Sequence, residues 1–279
     1  MEGFVPIDFD PYGGRLIWYI YGEPKVGKTT LLLKMLKEHK DQYAFLLSAD
    51  RGTRAARIDP KPYTGHLAVA YPASLRDWRV TTKQLAEKVN DALKKGVKPM
   101  NIWICIDNVT TMQIMLLMEG RKIASNKGKE SGGNNEGATR VVDDASYARD
   151  LQTQMDWGIN LGLMTELVIN ITALPGNILF IAHEKDAKDE FGRAVIIPAV
   201  SGQSGAMFLG LSDVIARMVK DQQGVRKLVL DDASCFAGNR ETPLDKTEPP
   251  DLYLAHRKAI SNVPTPAEKP ASPPAEKPV

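Results

Sequence analysis

The chain has 279 residues, 43% hydrophobic and 25% charged, with 36 Lys and Arg against 34 Asp and Glu for a formal net charge of +2. That is the balance of a globular protein of one large or two small domains, and it excludes both a strongly basic nucleic-acid coat and an acidic tail, so any nucleic-acid contact has to come from local patches. No apolar run approaches the ~18 residues that span a bilayer, Glu2, Asp8 and Asp10 are unlike a secretory leader, and Cys105 and Cys235 have neither metal nor disulfide spacing, so a cytoplasmic protein without membrane contact is expected.

Residues 1–14 are polar and turn-rich and read as a lead-in. Arg15 to Tyr21 (RLIWYIY) lacks polar alternation, as a strand buried on both faces of a parallel sheet does. It runs into Gly22-Glu23-Pro24-Lys25-Val26-Gly27-Lys28-Thr29, the G-x-x-x-x-G-K-T pattern of a phosphate-binding loop, and a leucine-rich helix over Thr29 to Lys40 follows. In such a loop backbone N–H groups curl around a β-phosphate, Lys28 reaches the β/γ oxygens, and the Thr29 hydroxyl faces Mg²⁺. Gly22 through Thr30 is therefore the expected binding segment for ATP and Mg²⁺.

Tyr43 to Ala49 is the second predicted strand, and it ends in Asp50-Arg51-Gly52-Thr53 at the carboxyl end, where ligands bind in open α/β sheets. His66 to Tyr71 reads as a short strand and Leu75 to Lys95 as a helix opened by Ser74, with Trp78 a packing residue. Asn101 to Ile106 (NIWICI) is a further buried strand closed by Asp107-Asn108. An apolar run ending in Asp downstream of a phosphate loop is the Walker B arrangement, whose carboxylate orders the Mg²⁺ water shell. The alternative role for Asp107 is to cap a helix over Val109 to Leu117.

Glu119 to Asp144 is glycine-rich and polar, and Arg121, Lys122, Lys127 and Lys129 make its first part basic. It reads either as a solvated flexible loop or as one that touches nucleic acid. Ala145 to Leu174 carries Leu151, Met155, Ile159, Leu163, Leu167 and Ile171 four residues apart, which predicts a long helix. Asn177 to Ala182 is another buried strand ending in His183-Glu184-Lys185. A lone histidine is usually structural, but His183 is placed to sense a γ-phosphate.

Asp186 to Gly192 reads as a charged turn, Ala194 to Pro198 as a short strand and Ser201 to Gly205 as a second flexible loop, so residues 185–205, with Lys185 and Lys188, form the other mobile candidate. Leu209 to Val219 and Arg226 to Leu230 read as closing strands, the latter joined in hairpin style through Gln222-Gln223-Gly224. His256-Arg257-Lys258 is a small basic cluster. From Val263 the repeated Pro-Ala-Glu-Lys-Pro composition predicts an extended tail. The expected organisation is a lead-in over 1–14, an ATPase domain over 15–260 and a tail over 261–279.

A phosphate loop, Asp50, Asp107 and His183 at the carboxyl ends of apolar strands together describe an NTP hydrolysis site, with Asp50 to position water and Arg257 or Lys258 as a cationic finger. The order Gly22 to Thr29, Ser48-Ala49-Asp50, Ile104-Cys105-Ile106-Asp107 and Phe180-Ile181-Ala182-His183 resembles the RecA-like ATPase core. More narrowly it resembles short phage ATPases described as AAA-family or nucleotide-binding proteins, some of which are minimal recombinases or single-strand annealing proteins. The resemblance implies an α/β RecA-like P-loop fold: a mostly parallel central sheet flanked by helices, with antiparallel closing strands. It implies Asp50 as the catalytic carboxylate, where glutamate is commoner, and His183 as the polar sensor. It makes 119–144 and 185–205 the DNA-contacting loops.

The same resemblance implies a DNA-stimulated ATPase that pairs or exchanges single-stranded DNA in phage-type recombination inside a bacterial host. Its expected partners are single-stranded DNA, further copies of the chain in a ring or filament with a basic residue donated in trans, and a single-strand-binding protein. Two other classes fit the loop: a nucleotide-switched assembly or packaging ATPase, and a small-molecule kinase with Arg121 and Arg140 in a lid.

Overall fold

A strand without polar alternation has no face to offer water, and β1 (Ile17–Gly22) accordingly lies inside the sheet with its side chains in the core. The structure, a computed structural model, describes residues 15–49, 63, 66–130, 154–239 and 242–261. On one side β1 pairs in parallel with β5 (Asn177–Lys188), which pairs with β4 (Ile102–Asp107), then β2 (Tyr43–Ser48) and β3 (Leu67–Ala70), all parallel. On its other side lies β7 (Val214–Lys220), also parallel. The antiparallel strands β8 (Arg226–Val229) and β10 (Thr247–Glu248) close the edge beyond β7. Short β9 (Gly238–Asn239) pairs with the start of β7, and β6 (Ala194–Pro198) folds back on the outer half of β5. The order β10-β8-β7-β1-β5-β4-β2-β3 is the expected α/β architecture of a mostly parallel sheet with antiparallel closing strands.

Successive side chains on a strand point to opposite faces, so each central strand feeds two cores. Trp18, Ile20, Trp103, Cys105, Leu179 and Ile181 pack beneath α1 (Lys28–Glu38) and α6 (Leu252–Ile260). Tyr19, Tyr21, Ile104, Ile106, Phe180 and Ala182 pack beneath α2 (Leu75–Lys94), α3 (Val109–Glu130), α4 (Gln154–Thr172) and α5 (Gly202–Leu211). Ser74 opens α2 by accepting the Asp77 N–H at 3.1 Å, and Trp78 behind it is fully buried, as its packing role requires.

Several elements differ from their sequence reading. His183 is not at a strand tip: β5 runs on to Lys188, and its outer half pairs with β6 from Glu184↔Pro198 to Lys188↔Ala194. The partner strand satisfies the backbone of this arm, so polar residues are tolerated along it. The turn is confined to its tip, where Asp189 accepts from the N–H groups of Phe191 and Arg193. Ser201 to Gly205, read as a flexible loop, opens α5; a methyl at Gly205 would stand 2.9 Å from the Val200 carbonyl, so close packing rather than flexibility explains that glycine. Leu209 to Leu211 finish the same helix instead of starting a strand.

Residues 119–130, read as loop, are the second half of α3, since isolated glycines cost a helix only about 1 kcal/mol each. Residues 1–14, 131–144 and 262–279 lie outside the described residues, as does Asp50.

Candidate nucleotide-binding site

The loop after β1 is shaped by backbone freedom at two glycines. A Cβ on Gly22 would sit 2.4 Å from the Met218 carbonyl of β7, so only glycine lets β1 leave the sheet there. Gly27 has φ +108 at the N-cap of α1, and neither a capping side chain nor an acidic residue serves the first turn. The amide groups of that turn and the positive end of the helix dipole are therefore presented to whatever anion enters. Lys28 is only 7% exposed and donates from Nζ to the carbonyls of Gly22 and Glu23 at 2.7 Å each. An ammonium drawn into its own loop by carbonyls is suited to exchange them for phosphate oxygens.

Period-two alternation turns Ser48, Asp107 and His183 to the face of α1; Ser48 lies level with Asp107, which pairs with Ile181, and His183, level with Gly22, follows two residues further along β5. Asp107 is 5% exposed and accepts the Thr29 hydroxyl at 2.5 Å. The helix-capping role considered for Asp107 belongs instead to Asn108, whose Oδ1 accepts the Thr111 N–H at 2.7 Å. With Oδ1 so engaged, Asn108 Nδ2 faces His183 Nε2 at 3.1 Å and donates to it, which leaves the ring proton on Nδ1. The backbone of His183 is held twice more: its N–H donates to Thr110 Oγ1 at 3.1 Å and its carbonyl accepts Ala199 N–H at 2.8 Å. Burial, and after it the Asp107 charge, pushes the Cys105 thiol well up, so it remains a neutral core group.

Residues 15–241 match the family model described as an AAA domain. The chain belongs to the AAA domain family. Nothing among curated proteins matches it. Among solved structures it is similar to the crystal structure of the RadB recombinase, at 15% identity over 78% of this chain and 80% of that one, with a TM-score of 0.40.

AAA-family membership makes the chain a P-loop ATPase, with a nucleotide and usually Mg²⁺ as its ligands. The donor set fits them. Thr29 and Asp107 bring two hard oxygens together, and among the described residues no cluster of three or more His, Cys, Asp or Glu competes as a metal site. That suits Mg²⁺, which takes one or two protein oxygens and completes its shell with phosphates and water.

The remaining predicted residues of this AAA-family chain are spread around the fold. Arg121 and Lys122 lie on α3, with Lys122 paired to Glu119 at 2.8 Å, and Lys127 and Lys129 lie on its last turns. Lys185 donates to Ser201 Oγ at 3.2 Å and Lys188 is exposed at the end of β5. The basic cluster on α6 is not a cluster in space. His256 is buried against Trp18 and Trp103, Lys258 pairs with Asp245 and Glu248 at 2.6 Å each, and Arg257 alone faces solvent.

Helix α6 packs by its start on the far half of α1, through the Tyr253–His39 stack and Asp251 beside Lys34 at 3.6 Å. It therefore lies towards the amino ends of the strands, and Arg257 is out of reach of its own chain's phosphate loop. Asn108, Thr110 and Arg226 are not among the residues the motifs single out. Asn108 was findable, since Asn before an apolar helix start is a preferred cap. Among the described residues no helix is long and apolar enough to cross a membrane.

Proposed function

We propose that the chain is a Mg²⁺-dependent ATPase of the RecA-like type that binds single-stranded DNA and promotes its annealing or strand exchange in phage-type recombination. Residues 15–260 act as the ATPase domain, between a lead-in and a proline-rich tail. Gly22 to Thr30 hold the nucleotide, Lys28 takes the β/γ oxygens, and Thr29 and Asp107 hold Mg²⁺, which when bound neutralises charge spreading over the γ-phosphoryl. Asp50 positions the attacking water and His183 reads the γ-phosphate.

The observation that carries this reading is the double attachment of His183. Its ring is bonded to Asn108, next to Asp107, while its carbonyl holds Ala199, just past the β5–β6 arm that bears Lys185 and Lys188. A shift of the ring towards a phosphate oxygen is thus transmitted by one residue to the segment assigned to DNA. Arg121, Lys122, Lys127 and Lys129 supply the other DNA contacts. In a head-to-tail homo-oligomer, ring or filament, exposed Arg257 is carried on the surface a neighbour's site would meet, and Lys258 joins it only by giving up its carboxylates. A host single-strand-binding protein is a further partner, and the setting is the cytoplasm of the infected cell.

The test is ATP turnover with single-stranded DNA, duplex DNA, RNA and no nucleic acid, at low salt where phosphate contacts are strongest. Stimulation by single strands supports the proposal. ATP binding with negligible turnover and no DNA binding replaces it with a nucleotide-switched assembly role.

A further inference from the structure

One cation is built against the phosphate loop from outside it. Arg226, the first residue of β8, donates from Nε to the Val26 carbonyl at 2.7 Å. Its guanidinium lies across the Gly27 α-carbon: a methyl there would stand 2.9 Å from Nε, 3.4 Å from Cδ and 3.5 Å from Cζ. Arg79, Arg193 and Arg217 each find a carboxylate, in Glu166, Asp189 and Glu184. Arg226 does not; it is exposed, and among the described residues no carboxylate pairs with it. Its surroundings in the loop, Lys28 and the amino end of α1, carry the same sign of charge. A guanidinium has five N–H donors in a rigid fork, so with Nε engaged both Nη groups remain for an anion.

Strand order decides which part of a nucleotide they reach. Asp107 and His183 lie on β4 and β5, to one side of β1, whereas β7 and β8 lie to the other. A triphosphate with its γ end at Asp107 and His183 therefore leaves the loop with its α-phosphate on the β7–β8 side. We propose that Arg226 is a nucleotide-binding residue in cis, its Nη groups holding the α-phosphate of a nucleoside di- or triphosphate while Nε keeps the loop carbonyl. The loop then has two cations from one chain, Lys28 towards the γ end and Arg226 towards the nucleoside. This assignment rests on the nucleotide-binding reading of the site.

Titration of Mg·ADP and Mg·ATP into the full chain and its R226A, R226Q and R226K variants, at low and high salt, tests it. R226A is expected to weaken both nucleotides by the same factor, roughly ten- to a hundredfold, and R226K to recover part of the loss. The advantage of the wild type over R226Q shrinks as salt rises, because the contact is ionic. The melting temperature of the nucleotide-free protein stays near wild type. Unchanged ADP affinity in R226A, or a loss confined to ATP, overturns the proposal. So does a salt-independent loss that is equal in all three variants, which would mean that Arg226 only braces the loop through Val26. If the wild type binds neither nucleotide, the reading of the whole site fails with it; wild-type binding with an indifferent R226A removes this inference alone.

Discussion

Thr29 Oγ1 stands 2.5 Å from Asp107 Oδ2, joining the first turn of a helix to the end of a strand 78 residues later. Neither group needs the other for the fold: β4 is held by β2 and β5, and α1 by its leucines. The pair brings a hydroxyl and a carboxylate to one point beside a buried ammonium. Asp107→Asn keeps the shape and removes the charge, so ADP affinity is expected within about tenfold of wild type, whereas Mg²⁺-dependent turnover falls about a hundredfold or more. Steady-state kinetics over a Mg²⁺ series checks this, and equal turnover would remove Asp107 from the metal site.

Lys28→Ala takes away a buried ammonium together with its two bonds to loop carbonyls. Burying a charge is costly, so the nucleotide-free protein should lose no more than about 1 kcal/mol of stability. The rise in melting temperature that Mg·ADP gives the wild type should disappear. Thermal melts with and without nucleotide read both effects.

Gly22→Ala places a methyl 2.4 Å from the Met218 carbonyl, a backbone atom that cannot swing aside. Either β7 or the loop has to move. A loss of about 2–4 kcal/mol in urea unfolding is expected, with weaker ADP binding because the loop is displaced.

Asn108→Ala removes the cap of α3 and the partner of the His183 ring in one step. The cap accounts for about 1 kcal/mol of stability. If His183 reads the γ-phosphate, turnover falls while ADP affinity is unchanged; a fall in ADP affinity would place His183 elsewhere in the site.

His256 supplies a pH prediction. Burial, and secondarily the Arg257 charge, pushes its imidazole down to about 3 from the usual 6.5. Between those values the unfolded chain binds a proton that the native protein excludes, so stability rises with pH across the window. The contribution is complete above pH 6.5 and is lost as pH falls towards 3, a difference on the order of a few kcal/mol. Denaturation curves over this range should be markedly flatter for His256→Gln, which cannot titrate.

The phosphate loop, the parallel core strands, α2, the β7–β8 turn and the buried Trp78 were legible in the sequence, because each depends on a short contiguous pattern of apolar periodicity, glycine or capping residue. The loops were read less well. Polar composition alone does not separate a two-stranded arm or a helix from a flexible segment; hence 119–130 are helix, and 185–188 extend β5 to form a hairpin with the strand expected over 194–198. His256-Arg257-Lys258 looked like one basic cluster because adjacent residues share sequence but not a helix face. One of them entered the core, one met two carboxylates and one stayed in water.

By itself the sequence determined that a phosphate loop joins a buried strand to a helix, that Asp107 ends another such strand, and that the sheet is mainly parallel. These are properties of backbone geometry and hydrophobic burial within a few residues. Only the tertiary structure decided that β5 lies between β1 and β4, which sets His183 between the phosphate loop and Asp107, and that Arg226 bonds to Val26 across 200 residues of chain. Strand order and side-chain reach depend on which surfaces bury one another, and no local pattern carries that information.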